Sequence, residues 1–365
     1  MTKITPAEIT RAKNRAQVGK HGSVVTWVIS IILIALVSLL AACTTPEGAN
    51  PPANSQGRSA AVDWNAVDQA MERKGSMMPG DVYRFSMPRS DLKVTVRDVQ
   101  IKPALALGSW AAFKKAGEMT MLMGDLVLTE DEVTPVMTKL QEGGIEQTAL
   151  HNHVLNESPR IMYMHIGGMG DPVKMAQAVS AALALTKTPT ANASQPPAAK
   201  NDAESGGSTA NAGGGNQAPG QSQDLGIDTK QIDQIMGATG KVNGGVYQFG
   251  IPRAETIIEG GTTIDTSGPV IPPSMGVAQA INFQPTGGGK AAITGDFVLI
   301  ASEVNPVIRA LRQNGIEVTA IHSHMLIESP RLFFMHFWAN DDAQKLAQGL
   351  RAALDKINLA RNQGK

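Results

Sequence analysis

The chain has 365 residues, enough for two or three ordinary domains, and its 32 basic residues are balanced by 32 acidic ones. A net charge of zero argues against a nucleic-acid partner, whose phosphates favour clustered positive charge. Aromatic residues make up 4% while glycine and proline are common, so part of the chain is linker rather than core.

The N-terminus reads as an export signal. Lys3, Arg11, Lys13, Arg15, Lys20 and His21 precede an uncharged run, Gly22 to Ala42, that is nearly all apolar from Val24 to Leu40. Such a run suits a signal peptide or a membrane-crossing helix, and the positive charge before it sends the rest of the chain outward. It ends in Leu40-Ala41-Ala42-Cys43, which resembles a bacterial lipobox with Cys43 as the lipidated residue; Cys43 is also the single cysteine in the chain. An uncleaved signal anchor is the alternative. Either reading places residues 44–365 outside the cytoplasm, held to a membrane of the cell envelope by a lipid or a helix. Thr44 after the cysteine, where an Asp would favour inner-membrane retention, points to outer-membrane sorting in a Gram-negative cell. The mature part can form no internal disulfide and must rely on ordinary cores or bound ligands.

Residues 44–61 form a polar tether, and 188–223 form a second stretch rich in Gly, Ser, Pro and Ala that cannot bury enough apolar surface to order itself. The folded parts are expected at 62–187 and 224–362. A coil of ~36 residues spans on the order of 33 Å, so the two parts can touch or work apart.

Those parts are repeats. Gly124–His165 and Gly295–His336 align without a gap at an offset of 171, with 23 identities in 42 positions. Upstream, Val82-Tyr83-x-Phe85-x-x-Pro88-Arg89 matches Val246-Tyr247-x-Phe249-x-x-Pro252-Arg253 at an offset of 164. The seven extra residues of the second copy are expected in Glu259–Gly276 or near Gly287–Gly289.

In the second copy the pattern predicts a short helix over 228–239, then strands over 246–251 and 291–299. A helix capped by Ser302 follows, with Glu303 in its first turn, and ends at Asn314-Gly315. Strands over 317–325 and 332–338 flank a turn at Pro330, and a helix over 341–358 closes the repeat with Leu346, Leu350 and Leu354 on one face. Pro135 and Pro306 fit a first helical turn. Gly124, Gly144, Gly295 and Gly315 read as turn residues. The order β-α-β-β-α implies an α+β class: two repeated domains, each a largely antiparallel sheet with packed helices.

Apart from His21, every histidine belongs to a repeated triplet: His151, His153 and His165, matched by His322, His324 and His336. Two histidines two apart on a strand share a face. A hairpin turning symmetrically about Pro330 would pair 324 with 336, and one about Pro159 would pair 153 with 165. Three converging imidazoles in each copy suit a transition metal, zinc before copper, nickel or iron. The pattern resembles the three-histidine site of carbonic anhydrases and, more weakly, the first motif of cupins. Zinc peptidases of the cell wall also use His-x-His, but their upstream histidine near an aspartate is missing here. Two other readings stand beside the metal: histidines that only stabilise the hairpin, and acid–base or substrate-binding histidines.

Glu157 and Glu328 are candidates for a further ligand, a ligand's partner or a general base, or else partners of the nearby Arg. Arg160 and Arg331 could bind an anion or brace the turn. Asp125 and Asp296 could orient a histidine, although backbone capping is the plainer role. Glu132 and Glu303 serve the helix start.

These motifs together resemble the LppY/LpqO family of bacterial lipoproteins, defined by a tandem domain of unknown function, 1259. The lines that carry the likeness are Gly295-Asp296-Phe297-Val298-Leu299, Glu303-Val304-Asn305-Pro306-Val307, Ala320-Ile321-His322-Ser323-His324-Met325 and Glu328-Ser329-Pro330-Arg331 through Met335-His336. The resemblance covers both folded parts and implies a tandem arrangement and lipoprotein character, but no reaction. Three functions follow: an envelope-anchored metal-binding protein with one histidine site per repeat, a metal-dependent envelope hydrolase using Glu157 and Glu328 as bases, or an interaction module with scaffold histidines. No protein partner is identified.

Overall fold

The computed structural model describes residues 61–190, 225–260 and 268–360. The export signal, the lipobox with Cys43, the tether up to residue 60 and most of the 188–223 linker lie outside them. Among the described residues no helix is long and apolar enough to cross a membrane.

Each repeat is built on a six-stranded antiparallel sheet. In the first, strands Ser76–Met78, Val82–Pro88, Gly108–Ala116 and Met119–Thr129 lie side by side in that order. Ile161–Gly170 comes next, with Glu146–His151 at the edge. The second repeat follows the same order with Lys241–Asn243, Val246–Pro252, Ala278–Gly287, Lys290–Leu299, Phe333–Asp342 and Glu317–His322. Helices Glu130–Glu142 and Pro172–Leu183, and their counterparts Ala301–Gln313 and Ala343–Leu354, complete the expected β-α-β-β-α order.

The helices cover one face of each sheet. Leu126, Leu128, Met164 and Ile166 join Val136, Leu140 and Val179 in the first repeat's core. Phe297, Leu299, Met335 and Phe337 join Leu311, Leu346 and Leu350 in the second's. The other face of each sheet meets the other repeat. Val127, Tyr163 and Leu105 share one apolar cluster with Val246, Ala292 and Trp338, while Trp110, Ala112 and Met121 share another with Met275, Val298 and Phe334. The repeats therefore form one compact unit with their sheets between two helical layers. A strand buried on both sides needs apolar residues in succession, which accounts for runs such as Leu126-Val127-Leu128.

Each repeat also lends the other an arm from between the second and third strands of its sheet. The helix Pro103–Ala106 of the first repeat lies on the second sheet: Asn282 Nδ2 donates to Leu105 O over 3.1 Å and Gln248 Nε2 to Ala104 O over 2.7 Å. In return the 3-10 turn Pro273–Met275 meets the first sheet, where Ser274 O accepts from Arg84 Nη1 at 2.7 Å. Most of the extra residues of the second copy sit in this arm. The offset grows from 164 at Ser86/Gly250 to 170 at Trp110/Ala280, and reaches 171 at a bulge between Pro285 and Gly287.

Several local expectations are corrected. The helix predicted to start after Ser302 starts at Ala301, and its cap is Ile300, whose N–H is accepted by Glu303 Oε2 at 2.9 Å. With the carboxylate doing the capping, no serine is needed. Pro306 and Pro135 are consequently sixth in their helices, inside them rather than in the first turn. Gly144 and Gly315 are turn residues with φ of +73°, but Gly124 and Gly295 lie in mid-strand. A Cβ on Gly295 would fall 1.9 Å from Ala280 O, and one on Gly124 2.8 Å from Trp110 O. Here glycine permits close strand approach. The strand predicted over 317–325 stops at His322, and the one predicted over 332–338 runs from Phe333 to Asp342.

The repeated Arg89 and Arg253 turn out to be buried braces. Arg89 Nη1 donates to Glu132 Oε2 and Val127 O, each at 2.7 Å, and Arg253 Nη1 makes the same two bonds to Glu303 and Val298. Burial alone would raise Glu132, but hydrogen bonds from Arg89 and from the N–H groups of Thr129 and Lys187 hold it below the ordinary glutamate range.

Candidate metal centre

All six histidines of the two triplets meet between the sheets. His151 and His322 end their edge strands, and His165 and His336 lie on the neighbouring strands. The hairpins do not pivot on the prolines. His322 opposes Phe334 and Ala320 opposes His336; likewise His151 opposes Tyr163 and Ala149 opposes His165. The expected 324–336 and 153–165 pairings are thus replaced by a register shifted by an even number. An even shift leaves side chains on the same face, so the triplets still converge. His153 and His324, beyond the strand ends, are held by stacking on Tyr163 and Phe334, with centroids 3.3 and 3.6 Å apart.

Convergence is greater between repeats than within them. His151 lies 3.6 Å from His322, His165 3.6 Å from His324 and His153 3.8 Å from His336, ring centroid to centroid. The first triplet makes a candidate group by itself, as one site per repeat would require, whereas the second triplet is grouped only together with His151 of the first. Among the described residues two groups have the geometry to hold a metal: His151 with His322, His324 and His336, and His151 with His153 and His165, with donor atoms within 4.8 Å of one another in each. His151 belongs to both.

The nitrogens are arranged for coordination. His336 Nδ1 donates to Gly295 O at 2.8 Å and His151 Nδ1 to Asn152 O at 3.3 Å, which leaves a bare lone pair on each Nε2. Among the described residues both Nε2 atoms are buried without a hydrogen-bond partner, as are His153 Nε2, His165 Nε2 and His322 Nδ1. His322 Nε2 and His324 Nε2 approach to 2.8 Å. Burial lowers every one of these histidines, helped for all but His151 by repulsion from neighbouring imidazoles: His151 to about 4, His336 to about 3, and His153, His165, His322 and His324 well below the ordinary imidazole value. All six are neutral near pH 7, the state in which imidazole binds metal.

Asp125 and Asp296 belong to this centre. Each directly opposes a histidine in register, Asp125 with His165 and Asp296 with His336. Asp125 Oδ1 lies 3.9 Å from His165 Nε2, and the Asp296 carboxylate lies 3.7 Å from His324 Nε2 and 3.8 Å from His336 Nδ1. Burial pushes Asp125 up to about 8, tempered by the Arg84 guanidinium. Asp296 is driven well above the usual range by burial and then by Asp125. Reading the aspartates as backbone caps understated them. The matching Gly-Asp before each apolar strand, with its partner histidine on the next strand, was the available signal. Arg84 had none: its counterpart in register is Gln248, so the two halves of the centre differ.

The glutamates and arginines of the loops act locally. Glu157 Oε1 accepts from Ile161 N at 3.1 Å, and Glu328 Oε1 from Leu332 N at 2.8 Å. Glu157 is raised to about 7 by burial, but neither glutamate belongs to a metal-binding group. Arg331 donates to Glu328, Met325 O and Leu326 O, so it braces the turn rather than presenting an anion site. Arg160 is two-thirds exposed, 3.8 Å from the equally exposed Glu130.

A family model described as Domain of Unknown Function (DUF1259) matches residues 65–185 and 230–356, one segment per repeat. The chain belongs to this family. The two DUF1259 segments each carry one triplet, so the centre takes residues from both. No curated protein matches the chain. Among solved structures, a trimeric bacterial microcompartment shell protein, PduB, is 12% identical over 79% of this chain and 96% of its own, with a TM-score of 0.18. EtuB from Clostridium kluyveri is 10% identical over 77% and 88%, with a TM-score of 0.17. Neither likeness is close enough to inform the fold.

Proposed function

We propose that this DUF1259 protein binds a transition metal at one centre shared by its two repeats. The observation that carries the reading is the set of buried, unpartnered imidazole nitrogens facing one another. Leaving a polar group buried without a partner costs about 1–3 kcal/mol. Five such nitrogens in one place would be an expensive scaffold, whereas a metal ion satisfies them together. Neutral imidazole is a good ligand for zinc, copper, nickel and iron alike, and zinc is the proposed occupant because four-coordinate nitrogen sites suit it. His151 and His336, with Nδ1 fixed by carbonyls, are preset to offer Nε2, and Asp125 and Asp296 close by would supply negative charge once a dication displaces their protons. The test is metal content by mass spectrometry of the untagged protein. A stoichiometric transition metal that chelation removes, with a fall in melting temperature, supports the reading. A metal-free protein that shows no thermal shift with zinc, copper, nickel or iron contradicts it.

The same protein is proposed to work at the outer face of a membrane, attached through Cys43. The basic segment, the apolar run and the single cysteine in a lipobox-like context support this. Replacing Cys43 with Ser should leave an unprocessed, unlipidated precursor, detected as a change of mass, in place of the lipidated chain. An unchanged mass and distribution would exclude lipidation.

A further inference from the structure

The histidine centre is closed at one end and open at the other. Beside His165 and His324 lies a cavity of about 630 Å³. That size falls among small-molecule sites, roughly 300–1,000 Å³. Both repeats build it. Met121, Met123 and Met169 come from the first sheet with Trp110, and Met275 and Met325 come from the second repeat. His165 and His324, both nearly fully buried, lie at the inner end, whereas Met169, Leu326 and Ile327 are among the exposed apolar side chains and mark the mouth.

The cavity is not a by-product of the repeat. At the pseudo-equivalent end, beside His153 and His336, Met121 is replaced by Ala292 and Met325 by Val154. There Ala292 and Val154 pack in one cluster with Leu105 of the first repeat's arm. That arm fills the space there, whereas the described residues of the second repeat's arm, among them Pro269, Met275 and Gly276, form part of the cavity wall. In the first sheet, Met121 and Met169 are cross-strand partners, as are Met123 and Gly167, and the small glycine gives room.

The wall sets the chemistry of the occupant. Thioethers are flexible and polarisable and favour aromatic contacts, so this lining takes an irregular apolar or aromatic body. The inner end offers imidazole nitrogen, with His165 Nε2 buried and unpartnered. Glu146 and Glu259 line the same cavity and make its entrance unfavourable to anions.

We infer that the cavity binds a small uncharged or cationic molecule with an aromatic or apolar body and one polar head, seated with the head against His165 and His324. This goes beyond metal binding and shares only the two histidines with it. The probes are 2-naphthylmethanol, 2-naphthylmethylamine and 2-naphthoate, which share a body and differ in the head. Binding is measured by calorimetry on the full chain, both as purified and after chelation. The alcohol and the amine should bind at least tenfold more tightly than the carboxylate. Met123→Trp, which fills the cavity, should weaken the alcohol at least tenfold with unchanged metal content; Met169→Trp at the mouth gives the same readout should the first variant misfold. Binding of the alcohol that survives chelation supports the cavity whatever the outcome for the metal. No binding of any probe, equal binding of the carboxylate, or indifference to both substitutions overturns the inference.

Discussion

His151 and His322, which hold the same place in the two repeats, lie with their ring centroids 3.6 Å apart at the middle of the molecule. The remaining histidines pair crosswise, His153 with His336 and His165 with His324, as an approximate two-fold relation between the repeats demands. Duplication has thus brought the two triplets into one cluster, in which one candidate ligand group draws on both repeats and the other on the first alone. Neither repeat folded by itself would bury its triplet, because the sheet face that carries it is covered by the other repeat.

Metal uptake should release protons, and from aspartate rather than histidine. The imidazoles are already neutral near pH 7, while burial raises Asp125 to about 8 and Asp296 well above the ordinary aspartate range. A dication beside them favours both carboxylates. Calorimetry in buffers of different ionisation enthalpy should find about one to two protons released at pH 7. Asp125→Asn/Asp296→Asn should reduce the release to near zero; equal release from that variant would refute the assignment.

The metal-free protein should be most stable near pH 6.5. Below that value the unfolded chain binds protons that the buried histidines refuse, so stability falls with pH through about 4 for His151 and lower for the rest. Asp125 acts with the opposite sign: its stabilisation is fully present below its unfolded value and is lost as pH rises through about 8. Six histidines outweigh the raised carboxylates on the acid side, and above pH 6.5 the raised carboxylates act without them, Glu157 through about 7 and Asp125 through about 8. Melting temperatures of chelated protein from pH 4 to 8.5 should show this asymmetric dome. A flat profile between pH 4 and 6.5 would mean the histidines are solvated.

Breaking one side of the Arg89 brace should be costly. Arg89 is fully buried, and Arg89→Met leaves Glu132 buried without its cation. A loss of about 3–5 kcal/mol is expected in denaturant unfolding. The double variant Arg89→Met/Glu132→Gln should lose less than the sum of the single changes. Strict additivity would show that the pair is not coupled.

Gly295→Ala should damage the centre through the backbone. The new Cβ would meet the Ala280 carbonyl at 1.9 Å and force apart the strands that fix Asp296 and the Gly295 carbonyl behind His336. The expected result is a fall in melting temperature together with loss of metal. Gly315→Ala, in open space but with φ of +73°, should lower stability by about 1 kcal/mol and keep the metal.

Much of this was legible in the chain. The repeat, the β-α-β-β-α order and the face shared by each triplet follow from spacing, because helix and strand periods are local properties. The register about Pro330 was not legible: it is set by the loop from Ser323 to Leu332, which closes on Glu328 and Arg331 rather than turning tightly. The strand Ala278–Gly287 was also missed, since a strand buried on both faces by Phe283, Ile281 and Ala280 shows no alternation. Above all, nothing in the spacing of His151 or His322 says that the two would meet. That contact depends on a sheet face whose partner is 171 residues away.

The most direct test of a shared centre is the metal content of His151→Ala beside wild type and His322→Ala. His151 belongs to both candidate ligand groups, although it comes from one repeat. A shared centre predicts that His151→Ala removes essentially all of the bound metal. Retention of half the wild-type metal in each variant would show two independent sites, one per repeat, and contradict the account.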